Sequence, residues 1–150
     1  MADTYFYCGS TQLAPGSVIE PGNWGRMLGR YTREAKSNAW VLVRELKYEE
    51  VRREHFPSKP SRLASAFLCP TLEHLKDFMA QQNRMFDLMY EVELVDPSAP
   101  LHLGDWTLPR TTGTETLAVF EKKAHLYWQG ANVTKPEVVS ASAVRVLKRL

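Results

Sequence analysis

Leu88, Tyr90, Val92 and Leu94 alternate with Met89, Glu91 and Glu93. A period of two over seven residues is the signature of a strand with one face in a core and one in water. A chain with such a strand must build a sheet around it, which excludes an all-helical bundle. Elsewhere the period changes. Trp40, Val43 and Leu46 follow helical spacing, so a helix is expected from Asn38 to His55, where Phe56-Pro57-Ser58-Lys59-Pro60 breaks it. Pro70-Thr71 opens a second helix with Leu72, Leu75, Phe78 and Met79 on one stripe.

The remaining segments alternate in the same way. Tyr5-Phe6-Tyr7-Cys8 reads as a strand that ends in a turn at Gly9-Ser10. Ala14 to Gly25, dense in proline and glycine, reads as loop. Ser61 to Cys69 reads as a strand, with Leu63 and Phe67 on one face. Thr112 and Glu115 have the spacing of a capping box opening a third helix, with Leu117, Phe120 and Ala124 on its buried side. Glu137 to Leu147, rich in valine, alanine and serine, reads as a final strand. The resulting order, β-α-β-α-β-α-β, has strands too short and irregular for a doubly wound parallel sheet, so the expected class is α+β.

Composition sets the outer limits. One hundred and fifty residues suit a single domain spanning 1–150. Such a domain buries roughly two-thirds of its unfolded surface and needs no disulfide staple. The apolar share of 44%, with four tryptophans, argues for a real core. No apolar run approaches the ~18 residues of a membrane span, and the first residues lack the basic-then-apolar pattern of a signal peptide. Two cysteines fit a reduced compartment, so the expectation is a cytoplasmic protein with no membrane partner. A net charge of +2 gives no special support to nucleic-acid binding.

Several chemistries find little footing. Cys8 and Cys69 are far apart, and no two of His55, His74, His102 and His125 share a helix-face spacing, so no metal is expected. Gly22-Asn23-Trp24-Gly25-Arg26 is glycine-rich but carries no Gly-Lys-Ser/Thr opening a helix. No G-x-S-x-G elbow is present. A cysteine on an aromatic strand is most often a packed small hydrophobe rather than a nucleophile. The charges of the Asn38–His55 helix, with Arg52 and Arg53 offset by Glu49, Glu50 and Glu54, read as a solvated face.

Three separated segments, taken in order, resemble the ADP-ribosyltransferase superfamily, in particular its small bacterial and phage members. Tyr7-Cys8-Gly9-Ser10, followed by Leu13 and Pro15-Gly16, is similar to the family's first-strand Y-H-G-T or Y-R-G-S segment. Pro60 to Phe67 is similar to its S-x-S strand, and Lys135-Pro136-Glu137-Val138-Val139 to the terminal strand with the catalytic glutamate. More narrowly, Gly16 to Arg26 (G-x-x-I-x-P-G-N-W-G-R), Pro60 to Phe67 (P-S-R-x-x-S-x-F) and Tyr127 to Gly130 (Y-W-x-G) resemble a family of bacterial proteins without an assigned role.

The resemblance implies a split pair of mixed β-sheets flanked by helices, NAD as substrate, no metal, and transfer of ADP-ribose to a macromolecular acceptor, protein or nucleic acid. A toxin, a defence component or a phage-encoded modifier is the role that follows by analogy, with room for a neutralising partner protein. Glu137 is then the catalytic carboxylate. Cys8, Gly9 and Ser10 would hold the dinucleotide, Ser61 and Ser65 would orient Glu137, and Tyr127 or Trp128 would stack on the nicotinamide. Most relatives carry His or Arg where this chain has Cys8. A thiol is a poor donor, which leaves Arg26 or Arg62 to grip the pyrophosphate. Two other outcomes use the same residues: NAD hydrolysis without an acceptor, and a relative that has lost catalysis and serves as a binding module.

Overall fold

The computed structural model describes residues 3–31 and 38–150. Seven strands form two sheets, an α+β arrangement in which every strand pairing among the described residues is antiparallel. In the first sheet β1 (Thr4–Gly9) pairs with β4 (Leu88–Leu94), β4 with β7 (Val144–Arg149), and β7 with the two-residue β2 (Val18–Ile19). In the second, β6 (Pro136–Ser140) lies between β3 (Ala66–Leu68) and β5 (Leu101–Asp105). Phe6 and Cys69 exchange backbone hydrogen bonds of 2.9 and 2.8 Å, which join the edge of the first sheet to the end of the second. The expected mixed sheets are therefore corrected to antiparallel ones. The short links β4–β5 and β6–β7 step from one sheet to the other, so no crossover needs to return to a parallel neighbour.

Burial follows this geometry. β4 keeps its alternation, with Tyr90, Val92 and Leu94 turned onto Val144 and Val146 of β7 and Leu68 and Val138 of the second sheet. The Tyr90 hydroxyl stays satisfied by accepting from Leu13 N–H and donating to the Thr11 carbonyl, both 2.9 Å. β6 is buried along its whole length. Val138 faces the first sheet, while Val139 faces Tyr48, Val51, Ala124, Tyr127 and Trp128 of helices α2 (Asn38–His55) and α4 (Leu117–Gln129). Trp128 at the end of α4 donates its indole N–H to the Tyr48 carbonyl at 2.9 Å, locking the two helices together. No described helix is long and apolar enough to cross a membrane.

Several local expectations change. The Ala14–Gly25 region holds β2 and the short helix α1 (Asn23–Leu28), which follows Gly22 at φ 96°. A Cβ on Gly25 would overlap the Leu63 carbonyl, so only glycine lets α1 approach the chain there. Ser61 to Cys69 is not one strand: a 3-10 turn at Arg62–Ala64, capped by Ser61, precedes β3. Thr116, not Thr112, caps α4. Glu115 instead accepts from the Thr112 and Gly113 N–H groups and ties the loop before the helix. The final valine-rich run is two strands, separated by a turn in which Ser142 N–H donates to Ser140 Oγ and Ser142 Oγ accepts from Asp96 N–H. β5 carries no alternation strong enough to announce it. The helix over Leu72–Gln81 (α3) forms as expected, capped by Thr71.

Asp105 closes the frame. Its carboxylate accepts from Thr107 N–H and Oγ1 and from the Thr134 and Lys135 N–H groups, so the end of β5 fixes the start of β6. Burial alone would raise its pKa, but these donors hold it below the ordinary aspartate value. A depressed folded-state pKa means that this contribution is present above the unfolded value and lost as pH falls. Asp105→Asn is expected to cost about 1–3 kcal/mol near neutral pH. Urea melts should show the gap from wild type narrowing below about pH 4.

Candidate functional site

The second residue of β6, Glu137, stands opposite Gly104 of β5 and is 8% exposed. It is held through one oxygen. Arg62 Nη1 reaches Glu137 Oε1 at 2.5 Å, and the Tyr127 hydroxyl donates to the same oxygen at 2.7 Å. Oε2 has no protein partner among the described residues, and Glu137 lines a cleft of about 790 Å³. Tyr127 can reach Glu137 because a side chain on Gly104 would collide with the tyrosine ring.

Arg62 is placed by the 3-10 turn, whose tight backbone projects it inward rather than along a strand face. Its Nε and Nη2 meet both oxygens of Glu45 on α2 at 3.0 Å each, a bidentate pair. Its guanidinium lies 4.9 Å from the Phe67 ring centre and 5.0 Å from that of Tyr127. Glu45 in turn accepts from Arg44 Nη2 at 2.9 Å. Charge therefore alternates along Arg44, Glu45, Arg62 and Glu137.

Each buried charge depends on the next. Burial opposes ionisation of Glu45, yet Arg62, with help from Arg44 and Trp24, brings its pKa down to about 2. Burial likewise opposes the Arg62 charge, and Glu45, Tyr127 and Glu137 hold its pKa well above the ordinary value. The Tyr127 hydroxyl is driven well above its usual range, chiefly by burial, and so stays a donor.

The cleft lies where the sheets join and brings together residues distant in sequence: Cys8, Gly9 and Ser10 at the end of β1, Arg62 and Ser65 around the turn, and Glu137. Several expected roles change. Ser61 donates to Glu49 Oε2 at 2.9 Å, and Ser65 donates to the Ser61 carbonyl at 2.6 Å. The groups that touch Glu137 are thus Arg62 and Tyr127, not the two serines, because Ser61 is spent on Glu49 of α2 and on capping the turn, and Ser65 on the Ser61 carbonyl. Arg26 donates to the Pro21 carbonyl at 3.0 Å and faces a neighbouring groove with Gly22 and Leu63. Tyr127 and Trp128 are fully buried, so neither ring can stack on a ligand; Tyr127 lies beneath the site and orients it. Burial raises the Cys8 thiol to about 11 and the Cys69 thiol to about 12, which keeps both protonated near neutrality. Among the described residues no three His, Cys, Asp or Glu side chains gather as a metal-holding group.

Glu45 and Arg44 escape a sequence reading guided by Trp40, Val43 and Leu46. The buried stripe of α2 is Arg44, Glu45, Tyr48, Glu49 and Val51, while Trp40 and Leu46 are exposed. The signal was the helical spacing of Glu45, Tyr48 and Val51, obscured by the charges among them.

Removing one partner of a buried ion pair leaves the other unpaired, so Glu45→Gln is expected to destabilise by about 3–5 kcal/mol. Glu45 adds stability above the ordinary glutamate pKa of 4.5 and loses it as pH falls towards 2. Acid-unfolding curves followed by circular dichroism should therefore be flatter over that window in the variant. Gly104→Ala should displace the Tyr127 ring, and a crystal structure of the variant should show the Tyr127–Glu137 hydrogen bond broken or lengthened.

A search of curated proteins returned no match. A family profile described as "Protein of unknown function (DUF2441)" matches residues 24–150, which include Glu45, Arg62, Tyr127 and Glu137 and leave β1 and β2 before the matched region. The chain belongs to the DUF2441 family.

Proposed function

We propose that the protein transfers ADP-ribose from NAD to a macromolecular acceptor, with Glu137 as the catalytic carboxylate. One observation carries this reading: Glu137 is anchored through Oε1, while Oε2 has no partner among the described residues and the side chain lines a cleft shared with Cys8–Ser10, Arg62 and Ser65. Those are the three segments on which the resemblance to ADP-ribosyltransferases rests. Two sheets joined edge to edge by the Phe6–Cys69 bridge are the framework that such a cleft requires, and they favour the same reading.

The chemistry suits a fixed carboxylate. Cleavage of the nicotinamide–ribose bond sends the bonding pair out with neutral nicotinamide and leaves an oxocarbenium-like ribosyl cation. Glu137 stabilises that charge and accepts a hydrogen bond from the ribose hydroxyl beside it. A nucleophile on the acceptor then forms the new bond to the anomeric carbon and gives up its proton. Arg62 does not belong to Glu137 alone, because its guanidinium is shared with both oxygens of Glu45. Lys135, two residues before Glu137, stands where arginine-modifying relatives carry Glu or Gln, and it pairs with Asp77 at 2.7 Å. That disfavours arginine as the acceptor.

A second reading, a binding module without catalysis, draws support from Cys8, a weak donor with a buried thiol. Labelled NAD incubated with the protein and a cell lysate separates the readings. The transferase predicts label on a macromolecule, with Glu137→Gln slower by about 10²–10³-fold, as when a principal transition-state contact is lost. Free ADP-ribose as the sole labelled product would instead mean hydrolysis. No nicotinamide release from folded wild type would overturn catalysis and leave the binding module.

A further inference from the structure

The alternating chain of charges has two ends in one cleft. Glu137 is the anionic end. Arg44 is the cationic end, and the functional reading leaves it unused. Arg44 lines the cleft and is 8% exposed. Its one hydrogen bond to a side chain among the described residues runs from Nη2 to Glu45, a carboxylate already engaged on both oxygens by Arg62. Arg44 Nε is buried with no hydrogen-bond partner among the described residues. A buried guanidinium N–H left unsatisfied is costly and calls for an explanation, of which a bound ion is one. The indole Nε1 of Trp24, another cleft residue, also completes no hydrogen bond, although it lies near enough to Glu45 to favour its charged form.

The rest of the lining has the same sign. Four arginines, Arg44, Arg62, Arg84 and Arg110, face the cleft against two acids, Glu20 and Glu137. Arg62 is committed to Glu45 and Glu137, and Arg84 pairs with Asp87 at 3.0 Å. Arg110, exposed on the loop after β5, makes no ion pair among the described residues. The cleft thus offers unspent donors from α2 and from that loop, and a carboxylate oxygen at Glu137.

We propose that Arg44 and Arg110 form an anion subsite that takes the pyrophosphate of the cleft's ligand, so that one molecule spans from phosphate at Arg44 to a ribose hydroxyl at Glu137. The ligand's identity as a dinucleotide rests on the functional reading above; the anion subsite rests on Arg44 and the lining charges. This subsite supplies from α2 and the β5–α4 loop a grip that Cys8 on β1 cannot provide. Arg26, turned onto the Pro21 carbonyl outside the cleft, takes no part.

Calorimetric titration with inorganic pyrophosphate and with ADP-ribose tests this directly. Wild type should bind both. Arg44→Gln and Arg110→Gln should each weaken binding by about tenfold or more, the loss expected for a charge-assisted hydrogen bond. Circular dichroism checks folding, and if Arg44→Gln fails to fold, the exposed Arg110 decides. No pyrophosphate binding by folded wild type, or variants that bind it like wild type, would overturn the subsite. Loss of binding in the variants, in a protein that never cleaves NAD, would uphold the subsite while the transferase reading fails. NAD cleavage with arginine variants that bind normally would do the reverse.

Discussion

The guanidinium of Arg62, 6% exposed, is the charge around which the structure is arranged. Such a group is tolerated in a protein interior only where carboxylates face it and its donors are used. Glu45 supplies a bidentate partner from α2, Glu137 a third contact from β6, and the rings of Phe67 and Tyr127 enclose its planar faces. Helix, turn and strand are therefore tied to one another through a single side chain. If any of the three moved away, a charge would be left buried and unpaired, so the arrangement rigidifies the site as well as setting its electrostatics.

Packing supports that arrangement from both sides. β6 is buried on both faces, and this puts Glu137 where neither rotation nor fraying of the strand can carry it off. Gly104 on the neighbouring strand leaves the space that the Tyr127 ring fills, and Gly25 lets α1 settle against the turn bearing Arg62. Asp105, through the Thr134 and Lys135 N–H groups, fixes the chain just before β6. These residues act on the candidate site through geometry alone. The cleft owes its existence to the join between the sheets, where β1 turns its Cys8–Ser10 end towards the 3-10 turn.

Local signals were legible where one segment dictates its own structure. β4 alternates because one face packs and the other is wetted, α3 has a clean apolar stripe and a threonine cap, and the double-proline break ends α2 at His55. The readings that changed are those where tertiary contacts prevail. Ser61–Cys69 has strand composition, but hydrogen bonds among Ser61, Leu63 and Ser65 wind its first half into a turn. The valine-rich end reads as one strand because both of its strands are buried, and the break between them depends on serine hydrogen bonds with the loop after β4. α2 hides its buried face because that face is ionic, and hydrophobic spacing cannot see a core made of paired charges.

By itself, the sequence determined an α+β domain, the major helices, the central strand of the first sheet and the order of the segments bearing Glu137, Arg62 and Cys8–Ser10. These follow from residue period, proline placement and motif, all properties of short stretches. Tertiary structure decided which groups touch Glu137. Arg62 and Tyr127 take the place foreseen for Ser61 and Ser65, Tyr127 lies under the site rather than in it, and Glu45 and Arg44 enter from a helix that looked solvated. The physical reason is range: a buried charge chooses its partners by desolvation and distance in space, and partners separated by 17 and 75 residues leave no local pattern to read.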